Sequence, residues 1–94
     1  MQRLIFSLSA QRDLNEIFDY IERDKPIAAS NWIGLIEEKC KLIAETPEFG
    51  ETRHEYGASI RSSTIGRYVI FYRPFGDGIE VVRIVSGDRD IRSL

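Results

Sequence analysis

The sequence is short of the residues that build metal sites and covalent cross-links. Its 94 residues include one cysteine, Cys40, and one histidine, His54. An intramolecular disulfide therefore cannot form, and a structural zinc site is not expected because such sites use four Cys or His ligands. A chain without disulfides suits a reducing compartment, so we expect a cytoplasmic location.

Long apolar runs and nucleotide-binding motifs are also missing. No apolar run approaches the roughly 18 residues of a membrane span, and the apolar stretch near the N-terminus is too short for a signal peptide. The glycines are isolated in predicted turns and form no phosphate-binding loop. The length of 94 residues predicts a single domain, residues 1–94, with a modest core, and the hydrophobic fraction of 43% is ordinary for a globular protein. Without a nucleotide-binding or metal-binding motif, no cofactor is expected.

Charge is unevenly divided along the chain. Residues 1–51 contain six Lys or Arg and ten Asp or Glu, a net charge of −4. Residues 52–94 contain seven arginines, no lysine and five Asp or Glu, a net charge of +2. Arginine suits bidentate contacts with carboxylate or phosphate, but small sheet domains also carry charged residues on edge strands for solubility. From charge alone, the solubility interpretation is preferred.

Hydrophobic periodicity predicts the order strand, helix, helix, strand, strand, strand. Proline and glycine mark the breaks between these elements, and the loops between the last three strands are short enough to force antiparallel neighbours. The predicted elements are a strand at 3–7, a helix from Ala10 to about Arg23 with Ser9 as its N-cap, a helix from about Pro26 to Glu45, and strands at 59–65, 67–73 and 79–85.

The fold class that these elements predict is α+β. The short break between the helices makes them a hairpin, and the N-terminal strand joins the three-stranded antiparallel meander in a single sheet. We expect the helical hairpin to cover one face of the sheet and to leave the other face open.

Arginines stand beside and inside the most apolar strands. The segment GRYVIFYR places Arg67 and Arg73 at the two ends of a strand, and alternation puts Arg83 on the same face of the next strand as Val81 and Val85. Burying an arginine costs several kcal/mol unless it is paired. These side chains are therefore either paired within the fold or directed at a partner, and both interpretations stay open. For Arg67, Arg83 and Arg89, the carboxylates considered as internal partners are Glu80, Asp88 and Asp90.

Three further positions carry side chains that could bind or react. Cys40 follows the apolar spacing of the second helix and is expected to be a small core residue. His54, Glu55 and Tyr56 could supply acid–base groups for RNA cleavage, but a solvated loop is the preferred interpretation. Trp32 lies on the apolar stripe of the second helix and is expected in the core, with a binding role open if the stripe is wider than the sheet.

Three segments stand out in the sequence: SAQRDLNEIFDYI, IRSSTIGRYVIFYR and IEVVRIVSGDRD. Together with the order of the elements, they resemble the ParE branch of the RelE/ParE toxin superfamily, which belongs to plasmid-stabilisation toxin–antitoxin systems. The resemblance covers nearly the whole chain. It implies a toxin that is neutralised in a hetero-oligomer by a cognate, ParD-like antitoxin, with contact to nucleic acid only through that complex.

The resemblance also implies two modes of action. RelE-like members cut messenger RNA on the ribosome with basic residues of the sheet and a Tyr or His near the C-terminus. Arg67 and Arg89 match arginines of that constellation, but no Tyr or His follows Gly87. ParE-like members resemble inhibitors of DNA gyrase, which act by binding and need no such group.

We therefore expect a gyrase inhibitor without catalytic residues or a metal. The alternatives are a ribosome-dependent endoribonuclease and a non-toxic binding module of the same fold. The residues expected to bind the target or the antitoxin are Arg61, Arg67, Arg73, Arg83, Arg89 and Trp32.

Overall fold

Two helices lie on one face of a five-stranded sheet in the computed structural model, which describes residues 2–87. The predicted α+β class is therefore confirmed. Two 3₁₀ helices, Pro47–Phe49 and His54–Tyr56, stand in the connections on either side of β2. The elements are β1 Leu4–Phe6, α1 Leu8–Glu22, α2 Pro26–Glu45, β2 Glu51–Thr52, β3 Arg61–Ile65, β4 Tyr68–Phe75 and β5 Gly78–Ser86.

The sheet is mixed and has one strand more than the periodicity predicted. Its strand order is β1-β5-β4-β3-β2, with β1 parallel to β5 and every other pair antiparallel. The antiparallel meander of β3, β4 and β5 is as predicted. The additional strand, β2, has two exposed residues, Glu51 and Thr52, which give no period-two signal.

A β-bulge in β5 changes which of its residues face the helices. Phe71 of β4 pairs with Arg83 and Tyr72 pairs with Val81, so Val82 has no partner on β4. The extra residue reverses the alternation, so each later residue of β5 points to the opposite face of the sheet from the one that simple alternation predicts. The prediction that Arg83 and Val81 share a face is therefore wrong. The residues that β5 contributes to the core are Ile79, Val81 and Ile84.

Helix α1 begins two residues before the predicted start. Its N-cap is Ser7 and not Ser9, because the Ser7 Oγ accepts a hydrogen bond from the Ala10 N–H at 3.0 Å. The Ser7 N–H donates to the carbonyl of Val81, and its hydroxyl donates to the carbonyl of Val82, both at 2.9 Å. One serine thus ends β1, starts α1 and attaches both to β5.

The core lies between the helical hairpin and the sheet. Cys40 is completely buried there, and burial raises the pKa of its thiol from 9.0 to about 12, with a smaller contribution from Glu37. The prediction that Cys40 is a small core residue is confirmed. The largest fully buried side chains include Tyr72, Phe71, Ile36 and Ile70.

The second face of the sheet is covered in part. Phe71 alternates with the core residues Ile70 and Tyr72 and so faces away from the helices, yet it is completely buried. The ring of Tyr56 meets it edge-on at 5.3 Å, and the Arg53 guanidinium lies 6.0 Å from its centroid. The prediction of an open second face is therefore wrong at this position.

Candidate functional site

Arg83 forms an ion pair inside the protein. Its Nε and Nη2 donate to the two carboxylate oxygens of Asp13 on α1, at 2.7 and 3.0 Å. The same carboxylate accepts the backbone N–H of Ile84 at 2.9 Å, and Asp13 is only 5% exposed. The hydrogen bonds that Arg83 donates to Asp13 raise the pKa of Arg83. Asp13 was not among the partners considered from the sequence, and it stands 70 positions away along the chain.

Arg73 also has a partner within the fold. Its Nε donates to Oε1 of Glu80 at 2.7 Å, across the β4–β5 ladder. Its guanidinium lies 5.3 Å from the centroid of the Phe75 ring. The Arg73 side chain is 39% exposed, so this pair meets solvent more than the Arg83 pair does.

Arg61 holds the turn that leads from α2 to β2. Its Nη1 donates to the backbone carbonyls of Glu48 at 3.0 Å and Gly50 at 2.8 Å. The Tyr72 hydroxyl donates to the carbonyl of Pro47 at 2.6 Å. The guanidinium therefore has a structural role in this turn, and a binding role for Arg61 stays a prediction.

Arg67 is exposed in the turn between β3 and β4. It lines a groove of about 470 Å³ between α1 and the end of β5, and a second groove of about 590 Å³ along the turn itself. The N–H of Gly87, the last described residue, donates to the Arg67 carbonyl at 2.7 Å. Arg89 lies outside the described residues, so its predicted role stays a prediction.

The groove between α1 and the end of β5 has side chains of both charges. Tyr20, 66% exposed, contributes an aromatic ring to it. Such a mixture suits a protein surface better than a single small anion. The charged residues that line it are Asp13, Glu16, Asp19, Arg23 and Arg67.

A smaller groove of about 300 Å³ lies between α1 and α2. Leu14 and Phe18 of α1 and Ile33 of α2 give it an apolar floor, and all three are half-buried. The polar residues around it are Gln11, Asn15 and Glu37. An apolar floor with a polar rim is the pattern of a site for a partner segment.

Trp32 packs at the margin of the core, below the β3–β4 turn. Its ring meets that of Tyr68 edge-on at 5.8 Å. A Cβ added to Gly66 would lie 2.5 Å from the Trp32 Cη2, so the ring sits directly against the turn that carries Arg67. The packing part of the prediction is confirmed, and the binding role stays a prediction.

His54, Glu55 and Tyr56 form a 3₁₀ turn and do not converge on one point. His54 and Glu55 are exposed, and the Glu55 carboxylate lies 3.6 Å from Arg53. Tyr56 instead packs its ring on Phe71. Residues 2–87 also contain no group of three His, Cys, Asp or Glu side chains that could hold a metal ion, and neither of their helices could span a membrane.

Comparison with known proteins shows which class of protein this chain belongs to. A family model described as the ParE toxin of the type II toxin–antitoxin system, parDE, matches residues 4–91. Toxin ParE1 of Caulobacter vibrioides is 27% identical over 88 residues, covering 93% of this chain and 91% of that protein. In the chromosomal ParDE TA system from P. aeruginosa, a chain with 24% identity has a TM-score of 0.77 and is matched over 92% of this chain and 96% of its own length.

These findings identify the class as toxins of type II toxin–antitoxin systems. The chain belongs to the ParE toxin family of that class, and the resemblance drawn from its three sequence segments is confirmed. The structural likeness independently supports the fold.

Proposed function

We propose that this toxin acts by binding DNA gyrase and that a cognate antitoxin holds it inactive. The observation that carries the proposal is the engagement of three sheet arginines within the fold. Arg61, Arg73 and Arg83 each donate hydrogen bonds to protein acceptors at 3.0 Å or less. A nuclease needs cations directed at a phosphate, with a titrating group beside them. Arginines that instead build the fold favour action by a binding surface.

The positions of His54 and Arg67 also argue for binding over RNA cleavage. Thr52 pairs with Arg61 at one end of β3, and His54 follows Thr52 closely. Arg67 comes after Ile65, at the other end of that strand. A five-residue strand is about 13 Å long from first to last residue, at about 3.3 Å per residue. The two side chains therefore start from opposite ends of β3 and not from neighbouring positions, as an acid–base group and a phosphate clamp would.

We place the gyrase-binding surface at the end of the sheet that carries Arg67. An exposed arginine, the exposed ring of Tyr20 and the Trp32 ring beneath the β3–β4 turn lie at this end. Arg, Tyr and Trp are the residues most enriched among the energetic hot spots of protein interfaces. Gly87, the last described residue, also lies at this end.

We place the antitoxin in the groove between α1 and α2. Its apolar floor of Leu14, Phe18 and Ile33 can accept apolar side chains from a segment that folds on binding. Ordering such a segment costs about 2–5 kcal/mol, so it must bury substantial apolar surface. Ile33→Asp should prevent rescue of growth by the product of the adjacent reading frame, whereas Leu35→Asp, on the opposite side of α2, should allow it. Equal rescue of both variants would contradict this placement.

The experiment for the mode of action is controlled expression in a bacterial host. We expect induction of the DNA-damage response and filamentous cells before protein synthesis falls, with His54→Ala as toxic as the unmodified chain. Prompt arrest of translation with cut messenger RNA on the ribosome, abolished by His54→Ala, would instead support the endoribonuclease.

A further inference from the structure

Helix α2 exposes large apolar side chains on the side away from the antitoxin groove. Ile27 is 80% exposed, Leu35 52% and Leu42 58%. With Gly34, these residues occupy about 100° of the helix circumference and extend over about 22 Å of its length. We call these four residues the outer face of α2. Each of the three apolar residues is more than half exposed in the described part of the chain, so the face is available to another molecule.

Gly34 indicates that a neighbour approaches this face closely. Glycine inside a helix is less favourable than alanine by about 1 kcal/mol. A Cβ added at Gly34 would meet no described atom within 4 Å. The fold of the chain therefore gives no reason for a glycine here, whereas a partner that packs against the helix backbone would give one.

The spacing of the residues on this side of α2 is symmetric. Ile27 and Leu42 lie equally far from the midpoint between Gly34 and Leu35, and so do Asn31 and Glu38. A second copy of α2 packed antiparallel about that midpoint would therefore place each residue beside its counterpart. The contacts this produces are Leu35 over Gly34, Ile27 on Leu42, and the Asn31 amide donating to the Glu38 carboxylate.

The charges at the ends of α2 also fit an antiparallel copy. Lys25 is the N-cap and makes no side-chain capping hydrogen bond, while Glu45 is the last helical residue. Both charges oppose the dipole of their own helix, which is positive at its N-terminus and negative at its C-terminus. In an antiparallel pair, Lys25 of one copy approaches the C-terminal end and Glu45 of the other, so each charge meets its complement.

We propose that the outer face of α2 is a homodimer interface in which two copies of the chain pack α2 antiparallel about a two-fold axis between Gly34 and Leu35. One helix from each copy buries less than the roughly 800 Å² per partner of a standard interface, so the dimer dissociates on dilution. The groove of Leu14, Phe18 and Ile33 stays accessible in both copies.

The first test measures the dimer dissociation constant by analytical ultracentrifugation over a dilution series. Lys25→Glu and Glu45→Lys, made singly, improve the match to the dipole of their own helix but put like charges across the interface. Each single variant should raise the dissociation constant several-fold without lowering the melting temperature. The double variant should return the dissociation constant to that of the unmodified chain. Leu35→Glu should give a monomer. A chain that is monomeric at every concentration, or single variants that dimerise normally, would overturn the proposal.

The second test fixes the register by disulfide formation. An Asn31→Cys protein mixed with a Glu38→Cys protein should cross-link, whereas either protein alone should not, because identical positions are about 10 Å apart along the helix axis. The native Cys40 is buried and does not compete. Cross-linking of each protein with itself would show a parallel pair and contradict the antiparallel arrangement. If the unmodified chain is monomeric and Leu35→Glu no longer binds the antitoxin, the outer face of α2 binds the antitoxin and the proposal is wrong.

Discussion

At the scale of single residues, Asp13 connects α1 to the last strand. Its carboxylate accepts the guanidinium of Arg83 and the N–H of Ile84, just past the point where β1 stops pairing with β5 at Val81. An aspartate on a helix normally lies on its solvated side, because burying a carboxylate is costly. A buried acid on a helix is explained only by its partner, and that partner lies in the last strand of the chain.

The Arg83 pair predicts a stability effect that separates a structural role from a binding role. Arg83→Ala leaves a nearly buried carboxylate without its cation and should lower the free energy of unfolding by about 3 kcal/mol. Arg73→Ala is the matched control, since its more exposed pair with Glu80 should contribute less than about 1 kcal/mol. Urea denaturation measures both values. If Arg83→Ala unfolds at the same urea concentration as the unmodified chain, Arg83 has no structural role.

The Cys40 thiol predicts how stability changes at alkaline pH. Its pKa is raised to about 12 in the folded protein, so between pH 9 and that value the unfolded chain loses a proton that the folded chain keeps. The free energy of unfolding should therefore fall as pH rises through this window, by up to about 1.4 kcal/mol per pH unit, and should show no such dependence below it. Cys40→Ala lacks the group, so subtracting its pH curve isolates the effect. Parallel curves for the two proteins would refute the assignment.

At the scale of elements, the β3–β4 turn depends on Gly66 for two reasons. Gly66 has a φ of +56°, and its Cα faces the Trp32 ring. Gly76, in the β4–β5 turn, has a φ of +60° but no described neighbour within 4 Å of an added Cβ. Gly76→Ala should therefore lower the free energy of unfolding by only about 1–2 kcal/mol, the cost of the left-handed backbone conformation for a residue with a Cβ.

Gly66→Ala should cost more than Gly76→Ala by about 1–3 kcal/mol, because the new methyl group must displace Trp32. Urea denaturation followed by circular dichroism measures the difference. Introducing Trp32→Phe into both backgrounds is the control, since a smaller ring should reduce the excess cost of Gly66→Ala. Equal costs for the two alanine variants would show that Trp32 does not restrict the turn.

The sequence predicted the elements with strong local signals and missed those that depend on distant residues. Periodicity, with Pro26 at the first turn, located α2 with its observed bounds. The start of α1 was wrong because Ser7 and Ser9 are equally good caps locally, and Ser7 is selected by its bonds to β5. The bulge at Val82 and the two-residue β2 arise from strand pairing, which no local pattern encodes.

The candidate site was only partly predictable for a related physical reason. The sequence identified the arginines, but a charged residue in a strand can meet an internal acceptor or a partner with the same local pattern. The acceptors of Arg61 are backbone carbonyls in a turn, and that of Arg83 is a carboxylate on the first helix. Both depend on how distant parts of the chain pack.

At the scale of the whole molecule, three proposed surfaces are separate. The groove of Leu14, Phe18 and Ile33 is assigned to the antitoxin and the outer face of α2 to a second copy. The end of the sheet that carries Arg67 is assigned to gyrase. Because the three do not overlap, substitutions on one should leave binding at the others unchanged.

The proposed target is tested most directly by the effect of the purified protein on supercoiling of relaxed plasmid by DNA gyrase. We expect inhibition by the unmodified chain and equally by His54→Ala. Arg67→Glu should weaken inhibition at least tenfold, a loss of about 1.4 kcal/mol of binding free energy. Arg12→Glu reverses an exposed charge on α1 outside the grooves, so this control variant should inhibit as strongly as the unmodified chain. Unchanged supercoiling at every concentration, together with cleavage of messenger RNA in a translating ribosome extract, would rule out gyrase as the target and support the endoribonuclease.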